Sequence, residues 1–168
     1  MSNPLLKLVP IIILLFTIDS HAASLFEDAK DRGINETCNS YLNQIEKSYG
    51  LNGLNITFAH PINPSKFPSL HISTQKYNNG ASTFSATLTP DNDYCYVSTV
   101  FVTSITNQSC SEITSIKIEN NKDMIVSDYS DGAYTILSPT DDSYQIILTA
   151  AGDTSCTMTE TRMIWPGK

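Results

Sequence analysis

Tyr94-Cys95-Tyr96-Val97-Ser98-Thr99-Val100-Phe101-Val102-Thr103-Ser104 is the stretch that decides the fold. It is rich in β-branched and aromatic residues and contains no Gly, Pro, Asp or Asn. At about 3.3 Å per residue it reads as one long strand of roughly 33 Å. Alternation puts Cys95, Val97, Phe101 and the following Ile105 on one face, and Tyr96, Val100 and Val102 on the other. Apolar residues on both faces predict a central strand covered on both sides.

Period-two patterning continues on either side of this strand. Leu54, Ile56 and Phe58 alternate with polar residues, as do Leu70, Ile72 and Thr74, and Phe84, Ala86 and Leu88 share a face. Pro90-Asp91-Asn92-Asp93 is a turn. Further strands are predicted at Asp123–Asp128, Ala133–Leu137, Tyr144–Ala150 and Cys156–Trp165, with Ala151-Gly152-Asp153 as the last hairpin loop. The segment with Pro61, Pro64 and Pro68 reads as a loop, and Ser109–Ser115 as a short helical turn.

The region before Gly50 follows a different period. Ile34, Cys38, Tyr41, Leu42, Ile45 and Tyr49 recur at helical steps, with Asn35 as cap and Gly50 as stop. A shorter helix is predicted at Leu25–Asp31, breaking at Gly33. No internal repeat is visible in the side chains. The fold expected is α+β: an N-terminal helix packed on an antiparallel sheet of about six to eight strands, stabilised by disulfides.

Lys7, the apolar run Leu8–Phe16 and the small residues Ser20, Ala22 and Ala23 have the layout of a secretory signal peptide. The apolar run is too short to span a bilayer, which takes about 20 residues. Cleavage is expected after Ala22 or Ala23, giving a leader over 1–22 and a single α+β domain over 23–168. No lipid-acceptor Cys follows the leader, and no apolar tail follows Trp165. The expected location is periplasmic or extracellular.

Four cysteines in an exported chain predict two disulfides. The spacing of Cys38, Cys95, Cys110 and Cys156 does not suit a zinc site or a redox Cys-x-x-Cys. Three connectivities exist. The long strand carries Cys95 away from Cys110 farther than the intervening residues can return, which disfavours that pair. Cys38–Cys110 with Cys95–Cys156 is the preferred pairing.

The chain carries a formal net charge of −7. That balance opposes nucleic acid and anionic membrane surfaces and favours a cationic partner. Catalytic signatures are sparse. There is no Gly-x-Ser-x-Gly elbow, no His-Glu-x-x-His and no Cys-x-x-Cys. His60, before Pro61, and His71, within a strand, are the histidines after the leader, and each is the catalytic candidate of a small secreted hydrolase. No cofactor or metal is expected. Asp128-Tyr129-Ser130-Asp131-Gly132 lacks the further ligands of a calcium loop, and Asp91-Asn92-Asp93 and Asp141-Asp142 suit turns better.

Cys156, Met158, Glu160, Arg162 and Ile164 share one strand face, so two opposite charges interrupt an apolar stripe. A surface ion pair, or a bulge turning both charges outward, is the structural explanation. The functional one is a binding patch of Glu160, Arg162 and Trp165. Tyrosines at 77, 94, 96, 129, 134 and 144 fit both sheet and interface. Asn35, Asn55 and Asn107 open glycosylation triplets, usable only in a eukaryotic secretory pathway.

The block Phe84–Ser111, with Tyr94-Cys95 and Ser109-Cys110, resembles a loose group of small exported four-cysteine proteins of Gram-negative bacteria. So does Ile147–Gly152 followed by Ser155-Cys156. The likeness covers roughly the last half of the chain and implies a periplasmic or secreted location. It implies no activity. The function expected is a non-enzymatic protein-binding module, of inhibitor or immunity type. A secreted hydrolase, an envelope structural component and a secreted effector are the alternatives.

Overall fold

A computed structural model describes residues 24–131 and 133–164. The predicted leader and Trp165 lie outside the described residues. The element order is α1 (Leu25–Asp31), α2 (Glu36–Tyr49), β1 (Leu54–Phe58), β2 (Ser69–Tyr77), β3 (Gly80–Asp91), β4 (Tyr94–Thr106), α3 (Cys110–Asn120), β5 (Met124–Tyr129), β6 (Tyr134–Pro139), β7 (Gln145–Ala150) and β8 (Ser155–Ile164). The strands form one antiparallel sheet in the order β1-β2-β3-β4-β8-β7-β6-β5. The α+β class is as the sequence predicts.

Local chemistry sets the helices. Ser24 caps α1 by accepting the Glu27 amide at 3.1 Å, and the Glu46 carboxylate of α2 accepts the amides of Leu25 and Phe26 at 2.8 and 3.2 Å. Asn35 caps α2 through the Cys38 amide at 3.2 Å, and Gly50 ends it in the left-handed region at φ 60°. Ser109 and Glu112 form a reciprocal capping box on α3. That box starts an eleven-residue helix where only a short turn is expected.

The topology repeats even though the side chains do not. A helix and a four-stranded meander (α2, β1 to β4) are followed by another helix and meander (α3, β5 to β8). The last strands of the two meanders pair with each other. Val100 lies opposite Thr161, and each stands five residues after a cysteine. The two halves are thus related by an approximate two-fold axis at that pair.

The disulfides obey the same relation and correct the expected pairing. Cys38 of α2 is bonded to Cys95 of β4, and Cys110 of α3 to Cys156 of β8, with Cα separations of 5.1 and 5.0 Å. Cys38–Cys110 and Cys95–Cys156 do not form. Such pairs join elements of different halves, whereas each helix lies over its own meander and turns its cysteine down onto it. With all four cysteines oxidised, the protein belongs to an oxidising, non-cytoplasmic environment. No described helix is long and apolar enough to cross a membrane.

All three helices pack on one face of the sheet, in two separate cores. Leu25 of α1 and Leu42 of α2 pack over Phe84, Leu88 and Val97, and Ile113 of α3 packs over Leu137, Ile146, Leu148 and Met158. Among the described residues, no helix covers the other face. This corrects the reading of β4 as covered on both sides: it is central in the sheet, but Val100 on its outer face is 38% exposed. Leu54, Ile56, Phe58 and Leu70 also point outward and are exposed. The helix-facing positions of β1 and β2 hold Thr57, His71 and Ser73 instead. Periodicity gave these strands, but not which face the helices cover.

Candidate functional site

Glu160 and Arg162 lie on the helix side of β8, next to the seam between the two cores. No bulge rotates them outward: the ladder with β4 runs unbroken from Ser155 to Ile164. Register places Phe101 opposite Glu160 and Thr99 opposite Arg162. The structure therefore brings together two of the three expected patch residues, and the third, Trp165, lies outside the described residues.

Side chains from both halves meet at this pair. The Tyr49 hydroxyl of α2 donates to Glu160 Oε1 at 2.8 Å, while its ring packs on Phe84 and Phe101. Burial, and then the hydrogen bond to Glu160, push the Tyr49 phenol up to about 12. The Arg162 guanidinium stands 5.0 Å from the centre of the Tyr144 ring. Its approach to Glu160 Oε1 is 3.7 Å, too long for a strong charged hydrogen bond, and its Nε is buried with no hydrogen-bond partner. The Arg162 side chain is 37% exposed, with its Nε buried and its guanidinium over Tyr144.

A cleft of about 520 Å³ opens beside Arg162, between Ser98 and Thr99 of β4, the end of β8 and the β6–β7 loop with Asp141, Asp142 and Tyr144. It exists because β7 stops short. The β7 ladder ends where Gln145 meets Thr161, while β8 runs on to Ile164 against β4 alone. On that side the backbone of Arg162, Met163 and Ile164 has no ladder partner among the described residues. The loop diverges because Asp141 accepts the Ser143 amide at 3.0 Å and Asp142 adopts φ 53°. The Ser143 hydroxyl and amide hold the Asp141 carboxyl below its usual range. Two carboxylates therefore sit at the mouth of the cleft.

The histidines lie elsewhere and differ from each other. His71 is fully buried between Thr57 Oγ1 at 3.2 Å and Ser69 Oγ at 2.9 Å. Burial pulls its pKa down to about 4. A Ser-His contact is thus present, but Ser69 is only 4% exposed and His71 is fully buried. His60 accepts the amides of Ile62 and Asn63 and stacks on Phe67, fastening the proline-rich loop. No group of three or more described His, Cys, Asp or Glu residues is placed to hold a metal ion. The acidic stretches at Asn92, Ser130, Asp131 and Asp142 supply positive-φ turn positions.

Tyr49, Tyr144, Asp141 and Asp142 are members of the site that sequence reasoning assigned otherwise, as helix stripe, sheet tyrosine and turn. The charge pair on β8 was the signal that led to them. No family model, curated protein or solved structure matches this chain.

Proposed function

We propose that this protein is an exported binding module for a cationic protein, in an inhibitor or immunity-type role against an envelope enzyme or toxin. One observation carries the reading. The backbone of Arg162 and Met163, which has no ladder partner on the β7 side among the described residues, lines a cleft together with Asp141 and Asp142. A free strand edge accepts an extended segment through main-chain hydrogen bonds, and flanking pockets select its side chains. Here the carboxylates select basic ones. The net charge of −7 attracts the same partner over a longer range. The satisfied surroundings of His71 and His60 give the hydrolase reading no comparable support.

The test is affinity capture by the oxidised protein from envelope and medium fractions of its own host. A stoichiometric basic partner, released by moderate salt, is expected. The Asp141→Asn/Asp142→Asn double variant is expected to bind it at least tenfold more weakly, by titration calorimetry, with the melting temperature held. Equal affinity in that variant removes the cleft from the reading. Absence of any retained partner removes the reading itself.

A further inference from the structure

The face of the sheet turned away from the helices extends well beyond the cleft, which it meets only at Ser98, Val100, Gln145, Thr161 and Met163. Among the strand residues that point away from the helices, only Lys76 and Asp91 are charged, and both stand at strand ends. Apart from Gln145 and Met163, the remaining outward residues are hydroxyl, aliphatic or aromatic. Register lines them up across the sheet. One row runs Thr74, Thr83, Val102, Thr159, Ile147 and Ile136. Apolar side chains gather at one end, where Ile56 pairs with Ile72 and Phe58 with Leu70. Leu54 is 62% exposed, Phe58 56% and Met163 48%.

We infer that this face is the contact surface for a second copy of the chain, packed sheet on sheet. Three observations choose that occupant. The first is charge. In a chain of net −7, a like molecule is repelled everywhere except where charge is absent, and this face is that place. The second is self-complementarity. The middle of the face holds Thr83, Ser85, Thr87, Ser98, Thr159 and Thr161, and a hydroxyl both donates and accepts. An identical face can therefore satisfy it, as an identical face of carboxylates could not.

The third is area. Eight strands about 4.8 Å apart make a sheet about 38 Å wide, and a shared strand length of about 18 Å gives about 700 Å² per copy. Stable interfaces bury about 600–1,000 Å² per partner, a range that includes this face. The strand residues of the cleft that face the helices, Thr99 and Arg162, stay free in such a dimer.

The experiment is sedimentation velocity on the oxidised protein across a dilution series, with Val100→Lys, Thr159→Lys and Ile116→Lys alongside. Val100 and Thr159 lie on the face, and Ile116 is an exposed residue of α3 on the opposite side. Wild type and Ile116→Lys are expected at twice the monomer mass, and both face variants at the monomer mass with an unchanged circular dichroism spectrum. If either face variant fails to fold, Met163 oxidation in wild type decides: several-fold slower at high protein concentration supports the contact, and an equal rate overturns it. Monomeric wild type at every concentration, or dimers that survive both face variants, also overturns it. The partner of the cleft takes no part in these measurements, so their failure leaves the proposed function standing.

Discussion

At the scale of single residues, the polar groups that matter are those the helices bury. His71 is neutral because the core excludes its charged form, with a folded pKa of about 4 against 6.5 in the open chain. The unfolded state therefore takes up a proton between those values while the native state does not. Stability is full above pH 6.5 and falls as the pH drops towards 4, by about 3 kcal/mol from this residue. Denaturant melts at pH 7 and 4.5 check it: His71→Gln is expected to be less stable at pH 7 and to lose part of the acid sensitivity. An identical pH slope in the variant refutes the assignment. Tyr49 gives a second expectation. Tyr49→Phe removes the 2.8 Å bond to a Glu160 side chain that is only 16% exposed. A loss of about 1–2 kcal/mol follows, read by chemical denaturation. The Arg162→Met/Tyr49→Phe double variant departs from additivity if Glu160 couples them, which a double-mutant cycle measures.

At the scale of elements, the disulfides and the strand faces separate what was legible from what was not. Caps and stops wrote α2 into the sequence: Asn35, the Cys38-to-Tyr49 stripe and Gly50 all do what their chemistry predicts. Strand periods were equally readable. Which face of β1 and β2 goes inward was not, because α1 covers Thr57 and His71 and leaves Ile56 and Leu70 outside. The disulfide partners were illegible for a related reason. Pairing depends on which meander each helix covers, and that is a property of topology, not of spacing. The site was half legible. The charge pair on β8 announced Glu160 and Arg162, but the cleft depends on β7 beginning only at Gln145, and no residue type marks that. Energetically, Cys38–Cys95 and Cys110–Cys156 join residues 57 and 46 positions apart. Loop-closure entropy assigns each about 4 kcal/mol. Replacing either pair by alanines is expected to lower stability by that order, and the two losses should be similar because they depend on length only logarithmically. A loss confined to one pair, measured by urea unfolding, contradicts this.

At the scale of the whole molecule, two cores hang on one pair of strands. β4 has β3 on one side and β8 on the other, and β8 carries the second meander through β7. Among the described residues the halves meet along this ladder, at the Tyr49–Glu160 hydrogen bond above it, and where Ile164 packs on the first core and Ile105 on the second. β1 and β5 each have one neighbour and expose apolar side chains. Opening from either end therefore breaks one ladder and uncovers little buried surface, whereas opening at the centre separates both disulfide-anchored cores at once. Native-state hydrogen exchange on the oxidised protein is expected to show the slowest amides in β4 and β8, near Val100 and Thr161, and the fastest strand amides in β1 and β5. Exchange in β4 and β8 should track global unfolding as denaturant rises, with the edges opening well below it. If the central amides exchange as fast as those of β1, the halves open independently, and the repeated topology is two units side by side without a common cooperative core.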